Sequence, residues 1–514
     1  MKYKVSGLVE TRIIKFLIVY ISVYLIFVLD SFSGQPFIEY TINPYVIEMH
    51  SSQHIISGRG GIIVWDVNND GLFDYIVSTK EGNFGDNERA TLCAYDHNGN
   101  IIWLDDDIDI QMNGNAENYG LPGWHGPGVT AGDVDGDGES EVLHLNTKNE
   151  IVIRNGNTGQ IERKIYVPLP GIFAKFKNSV KIFTDEVIPS NFKYAKKKVI
   201  RHFLENPKRW SHLQIVNLQG EGDNEVILQA DPLPFRWLKA VSLDTGNTLW
   251  EFHEYKGCNH NGFRAADIDG DGFDEVVGGN VIDHDGTLIK DWEYRKYHGH
   301  LDSLYINDVL PDEQGLEWVV TEEIGGVKED DTALLGKKKV YFYHSFNGWE
   351  PQNAVIGEFD ISYPGLEIWC RSRFDYDQRP WVIDSKGNTI ANYRLNDLKP
   401  TGWSEEGIEV ISSIDWTGSV PNYIAAQERH AEGKIAIINP MTGQFLHWWD
   451  ENSARIYVAD VAGDYREEII VLNSLEKEIR IYWNPDSNKN TRGKRYWDEN
   501  YYKRQKLNYN YYSP

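Results

Sequence analysis

Short apolar runs recur along the chain, and many follow a polar turn of one design. DVNNDGLFD (Asp66 to Asp74), DVDGDGESE (Asp133 to Glu141) and DIDGDGFDE (Asp267 to Glu275) each run straight into an apolar segment such as Tyr75–Ile76–Val77 or Val276–Val277. Runs this short, bounded by Gly, Asp and Asn, predict strands rather than helices. Weaker copies open at Asn217, Asn307, Gly357, Ile414 and Ala459. The starts of the eight units average about 56 residues apart, in the range of propellers and solenoids. Eight further segments alternate with the turns, among them AYDHNGNIIW from Ala94, VIDHDGTLI from Val281 and VIDSKGNTI from Val382, and most set an Asp/Asn–Gly turn between two strands. A turn and a hairpin in every unit predict four strands per unit. The expected fold is all-β, an eight-bladed β-propeller spanning 34–514, with a β-helix or two sandwiches as alternatives that suit the unit length and regularity less well.

The turn carries its own chemistry. Acids or Asn stand at its positions 1, 3, 5 and 9, and Gly at position 6 permits a tight reversal. Alternate carboxylates on such a turn converge on one hard cation, and calcium accepts six to eight oxygens. An EF-hand is rejected, because position 12 is Val77, His144 or Gly278 instead of Glu, and the flanks read as strands. The expected calcium ligands are Asp66, Asn68, Asp70 and Asp74 in the first turn, Asp133, Asp135, Asp137 and Glu141 in the second, and Asp267, Asp269, Asp271 and Glu275 in the fourth. Asp460, Asp464 and Glu468 form a reduced eighth set, and the seventh turn has lost its acids.

Charge sharpens this picture. The formal net charge of −26 argues against nucleic acid as a partner, since phosphate binding depends on Lys and Arg. One stretch runs the other way: the insertion at 168–210 carries ten Lys and Arg, from Lys175 to Arg209, either as a wall for an anionic ligand or as a solvated helix. Aromatic residues make up 13%, available for strand packing or for stacking on sugars. Cys93, Cys258 and Cys370 allow one disulfide at most. At the N-terminus, Lys and Arg precede an apolar run from Phe16 to Leu29, which as a helix rises about 21 Å, short of the roughly 30 Å hydrocarbon core. Residues 1–33 are therefore expected to be an export signal, or an uncleaved membrane anchor, and the working compartment to be secreted, periplasmic or at the cell surface.

Candidate acid–base groups flank the strongest metal turn. His260 lies in GCNHNGF just before Asp267, and His298 and His300 lie in YHGHLDSLY before Asn307. Histidine exchanges protons near neutral pH, and Asp302 stands where it can orient His300 or bind metal. Arg371, Ser372 and Arg373 form a second polar cluster and Gln427, Glu428, Arg429 and His430 a third; paired Arg suits carboxylates, with a rim salt-bridge network as the structural alternative.

GCNHNGF with DIDGDGFDEVV, then HGHLDSLYINDVLPDEQGLEWV, FDISYPGLEIW, GDYREEIIV with EIRIY, and a Tyr- and Asn-rich end resemble the rhamnogalacturonan lyases of polysaccharide lyase family 11. The resemblance implies an eight-bladed propeller holding several calcium ions, an acidic polysaccharide as partner, and cleavage of a rhamnose–uronic acid backbone by β-elimination. The family's small β-domain ahead of the propeller has no room before Asp66, and Asn508 and Tyr511 match its terminal Asn and Tyr. For such an elimination, calcium near Asp267 or Arg373 would neutralise the uronate, His300 or His260 would remove the C5 proton, and Tyr511 would protonate the leaving oxygen. A non-catalytic calcium propeller for adhesion or glycan binding is the alternative function.

Overall fold

The computed structural model describes residues 38, 40–54, 61–80, 90–110, 128–169, 210–230, 236–257, 262–292, 301–322, 332–346, 351–372, 378–405, 407–428, 433–486 and 495–508. Six antiparallel sheets of four strands, each in sequence order, account for units one to six. A seventh sheet of seven strands holds the last two units, because the strand Phe445–Ala459 pairs through its first part with Gly433–Ile438 and through its second with Glu468–Asn473. Counting that strand once in each unit gives eight units of four strands, the number the alternating turns and hairpins predict. One strand comes from an unexpected place. Tyr45–Glu48 pairs with Glu478–Tyr482, so the last unit takes its outer strand from the N-terminal side of the first.

The sequence pattern follows from how these strands are covered. In the first unit Ile62, Ile63 and Val64 are all buried, as are Tyr75, Ile76 and Val77 of the next strand. Strands covered on both faces read as continuous apolar runs. Outer strands are half covered and read as mixed: in Ile161–Tyr166 only Ile165 is buried. The third and fourth strands of seven units slip register beside their hairpin, for instance between Ala94 and Tyr95 and between Val382 and Ile383. Gly387 takes a φ of +86° there, a conformation that favours glycine at such a bulged turn.

The first strand of each unit touches the first strand of the next. The sequence of contacts runs Gly61–Trp65, Val129–Gly132, His212–Val216, Arg264–Ala266, Leu301–Asn307, Pro351–Gly357, Ile408–Ile414 and the second part of Phe445–Ala459, which touches Gly61–Trp65 again. A helix that sequence reasoning missed, Asn500–Leu507, packs against these first strands, contacting those of units one, three, four and five. Among the described residues, no helix is long and apolar enough to cross a membrane. Residues 1–33 and nearly all of the basic insertion fall outside those described.

Candidate functional site

The acidic turns reverse the chain between the first and second strands of a unit, and their side chains are wired to their own backbone. In the first turn, Asp66 accepts the N–H groups of Asp70 and Gly71 at 3.1 and 2.9 Å, and Asp70 Oδ1 accepts that of Leu72 at 2.9 Å. The carboxylate that opens each second strand has a separate task. Asp74 Oδ2 accepts the N–H of Val67 at 2.9 Å, and Glu141, Glu225, Glu275, Glu317, Glu367 and Glu468 do the same for Val134, Leu218, Ile268, Val309, Phe359 and Val461, at 2.7 to 3.1 Å. This clamp is present in turns with and without predicted metal ligands, so the carboxylate serves the turn itself. In the seventh unit the second strand opens with Tyr423 instead. There Glu467, from the eighth unit, reaches across to accept the N–H of Asp415 at 2.9 Å.

Two turns gather donors fit to hold a metal ion. Oxygens of Asp133, Asp135 and Glu141 come within 4.8 Å of one another, as do those of Asp267, Asp269 and Asp271. Burial pushes the carboxyls of Glu141 and Glu275 up to about 7 and about 8, and that of fully buried Asp74 up to about 8. Asp74 Oδ1 is buried without a hydrogen-bond partner. Like charges crowded into a poorly solvated turn are relieved by a bound cation, and an all-oxygen donor set suits a hard one. The fit is therefore good. Asp137 spends Oδ1 on the Glu139 N–H at 2.8 Å, and Asn68 spends Oδ1 on that of Asp70 at 2.9 Å.

The other predicted ligands are differently engaged. Lys337 of unit five reaches Asp269 Oδ2 at 2.5 Å and Glu275 Oε1 at 3.3 Å, which places a positive charge on the fourth turn. In the eighth turn Asp464 pairs with Arg466, and Asp460 pairs with Arg495 at 3.1 Å. Those two guanidinium groups answer the charge that the sequence reading assigned to calcium.

The first strands and turns are polar where the helix docks. Arg504 donates to Asp274 at 2.8 Å and to Asp223 at 2.6 Å, Lys503 adds an ion pair to Asp223 at 2.6 Å, and Asn500 caps the N–H of Asp267 at 3.0 Å. Burial opposes ionisation of Asp223, yet Arg504 and Lys503 hold its carboxyl well below the usual range. Gln505 pairs with both the N–H and the carbonyl of Ile306 at 2.9 Å. At the helix end, Asn508 donates to Gln214 and to the Phe263 carbonyl, both at 2.9 Å, and its own carbonyl accepts from fully buried Arg264.

His260, His300, Arg373 and Tyr511 lie outside the described residues, with His298, Arg429, His430 and Cys258. Their described neighbours in sequence are close together: Phe263 and Arg264 bond to Asn508, and Leu301–Asn307 touches both Arg264–Ala266 and Pro351–Gly357. Pro351 is in turn the strand partner of Ser372. Arg371 is fully buried and donates to Gln352 at 2.6 Å, and Gln427 donates to the Ser453 carbonyl at 2.6 Å. Glu428 accepts the N–H groups of Ser404 and Lys434. These contacts are buried and largely to amides or backbone rather than the salt bridges of a rim network, and the remaining Arg373, Arg429 and His430 of those clusters lie outside the described residues. Asp302 is buried at the start of its strand. Buried His144 and half-buried His212 have pKa values pushed down to about 3 by desolvation and then by neighbouring Arg, so they are neutral structural histidines. Cys93 and Cys370 are buried free thiols.

The profile of the C-terminal domain of rhamnogalacturonan lyase family 11 matches residues 235–511, more than half of the chain. The chain is 25% identical to the rhamnogalacturonan endolyase YesW of Bacillus subtilis over 455 residues, 82% of this chain and 66% of that protein. It is 25% identical to the exolyase YesX of the same organism over 254 residues, 45% of this chain and 37% of that one. The matches thus span just under two thirds of one curated relative and little over a third of the other. Among solved structures, the exotype rhamnogalacturonan lyase YesX superposes with a TM-score of 0.68 at 17% identity, covering 92% of this chain and 82% of that one. A Bacillus licheniformis rhamnogalacturonan lyase superposes at 0.61 and 18%, covering 92% and 81%. Those superpositions establish a shared fold, and with the profile match they show that the chain belongs to rhamnogalacturonan lyase family 11.

Proposed function

We propose that the chain is a secreted, calcium-requiring polysaccharide lyase that cleaves a rhamnose–uronic acid backbone by β-elimination on an eight-bladed propeller. The propeller reading is supported by the cyclic contacts of the eight inner strands and by the strand Tyr45–Glu48, which joins the N-terminal side of the chain to the last unit. The catalytic reading is carried by one observation. The described neighbours of His260 and His300 open the first strands of units four and five, that of Arg373 ends the second strand of unit six beside Pro351 of its first strand, and Asn508, three residues before Tyr511, ends the C-terminal helix and bonds to Phe263.

In this reading Arg373 pairs with the uronate carboxylate, which makes the C5 proton acidic. His300 or His260 takes that proton, the C4–O bond breaks as the C4–C5 double bond forms, and Tyr511 gives a proton to the departing oxygen. Calcium bound at the acidic turns would add positive charge to a strongly acidic protein that meets an acidic polymer. Asp133, Asp135 and Glu141 of the second turn and Asp267, Asp269 and Asp271 of the fourth would hold it, with Lys337 as a competing cation on the fourth.

Incubation with rhamnogalacturonan and with rhamnose–glucuronate polymers in the presence of calcium, followed by ultraviolet absorbance of the unsaturated uronate, tests this reading. Polymer binding without any unsaturated product is the outcome that favours a non-catalytic glycan-binding propeller.

A further inference from the structure

We propose that Gln214, on the first strand of unit three, is a positioning residue for the lyase reaction: it fixes the side-chain amide of Asn508 so that Asn508 Oδ1 meets a hydroxyl of the polymer. The proposal rests on the lyase reading and adds to it a residue that the reading does not use.

Gln214 is 1% exposed, so it acts on a polymer only through another residue. Its Nε2 donates to the Ala265 carbonyl of unit four at 3.0 Å, which sets the way its amide faces. Its Oε1 is thereby turned to Asn508 Nδ2, which donates to it at 2.9 Å. Asn508 Nδ2 also donates to the Phe263 carbonyl at 2.9 Å. An amide nitrogen carries two N–H donors, and both are now used. Turning the Asn508 amide over would set Oδ1 against two acceptor oxygens, a costly arrangement at low local dielectric. The backbone of the same residue is held by Arg264, also 1% exposed, which donates to the Asn508 carbonyl.

Asn508 Oδ1 is left as a preset acceptor: it takes no hydrogen bond from a described residue, and Asn508 keeps 9% of its surface exposed. An amide oxygen calls for a donor, so a sugar hydroxyl suits it and a uronate carboxylate does not. Phe263 and Arg264 follow His260 closely in sequence, and Tyr511 follows Asn508. Anchoring the helix is a separate matter, because Arg504, Lys503 and Gln505 already dock it through their own bonds. The run of amides from Ala265 through Gln214 to Asn508 sets an orientation instead, and a misplacement of about 1 Å in such a group costs about 10²-fold in rate.

Gln214→Met removes the acceptor at similar length, and Gln214→Glu keeps one. Two readouts are compared in the full chain: kcat and KM for unsaturated uronate released from rhamnogalacturonan, and NMR exchange of the Asn508 side-chain amide protons, which needs no substrate and is assigned with Asn508→Asp. Those protons should exchange slowly in the wild type and in Gln214→Glu, and about tenfold faster or more in Gln214→Met. In the same variant kcat should fall about tenfold or more with KM within about twofold, and Gln214→Glu should recover most of it. Fast exchange in the wild type, unchanged kcat in Gln214→Met, or a loss of kcat in both variants that follows their melting temperatures overturns the proposal and leaves the lyase reading standing. A wild type that releases no unsaturated product overturns both.

Discussion

Arg504, on the C-terminal helix, donates from Nε to Asp274 Oδ2 at 2.8 Å and so ties the helix to the turn of the fourth unit. The same guanidinium reaches Asp223 of the third unit, and all three side chains are largely buried. Removing one partner of a buried ion pair leaves the other charged and poorly solvated, at a cost of about 3–5 kcal/mol. Arg504→Met is therefore expected to lower unfolding free energy by about that amount, measured by urea titration. A loss below about 1 kcal/mol would mean that the helix docks by other means.

The clamp by the carboxylate that opens a second strand can be tested where no metal ligand is predicted. Glu317 accepts the N–H groups of Val309 and Leu310 at 3.1 and 3.0 Å, and Tyr341 donates to its other oxygen at 3.1 Å. Glu317→Ala leaves these groups without their partner and should destabilise by about 1–3 kcal/mol. The loss should be the same with calcium or with chelator, since this carboxylate serves the turn. A chelator-dependent loss would assign Glu317 to a metal instead.

Glu367 gives a pH dependence with a definite sign. Burial pushes its carboxyl up to about 7, and the like charges of Glu358 and Asp360 reinforce the shift against the N–H groups of Phe359 and Asp360. A carboxyl with a raised folded pKa binds more protons folded than unfolded, so its contribution to stability falls as pH rises from the ordinary carboxylate range to about 7, and is level above that. Glu367→Gln keeps an acceptor oxygen and does not titrate. Its melting temperature should fall less than that of the wild type between pH 5 and pH 7.5, and a parallel decline would contradict the shift.

Chelation should lower the melting temperature, because a ligand that binds only the folded state stabilises it by mass action, about 2.7 kcal/mol per site at a hundred times Kd. Asp133→Ala and Asp267→Ala should each remove part of the calcium-dependent shift in a thermal melt. Lys337→Ala should enlarge the share of the fourth turn, since it frees Asp269 and Glu275 from an ion pair. An identical calcium response in all three variants would place the ion elsewhere.

The repeat was legible because its turns need particular residues at fixed offsets and its strands are covered on both faces. Ile62 to Val64 and Tyr75 to Val77 therefore show as apolar runs in the sequence. The C-terminal helix was not legible for the same physical reason reversed. Its buried face is made of Tyr502, Arg504, Gln505 and Lys506 with Leu507, so polar contacts replace an apolar stripe. Lys503, Arg504 and Lys506, grouped in a strongly acidic chain, were the available signal. Position 9 carried the right residues and was read as ligand alone, since a carboxylate that clamps a turn and one that binds calcium look identical in sequence. The support that Glu467 lends the seventh turn comes from the adjacent eighth unit and leaves no local trace.

The lyase reading is tested most directly by following unsaturated uronate released from rhamnogalacturonan by the wild type and by His300→Ala and His260→Ala, each with calcium and after chelation. The account predicts product from the wild type, loss of it on chelation, and a rate lower by about 10²–10⁴-fold in the variant that lacks the base. No unsaturated product from the wild type on any rhamnose–uronic acid polymer, or full activity in both histidine variants, would contradict it.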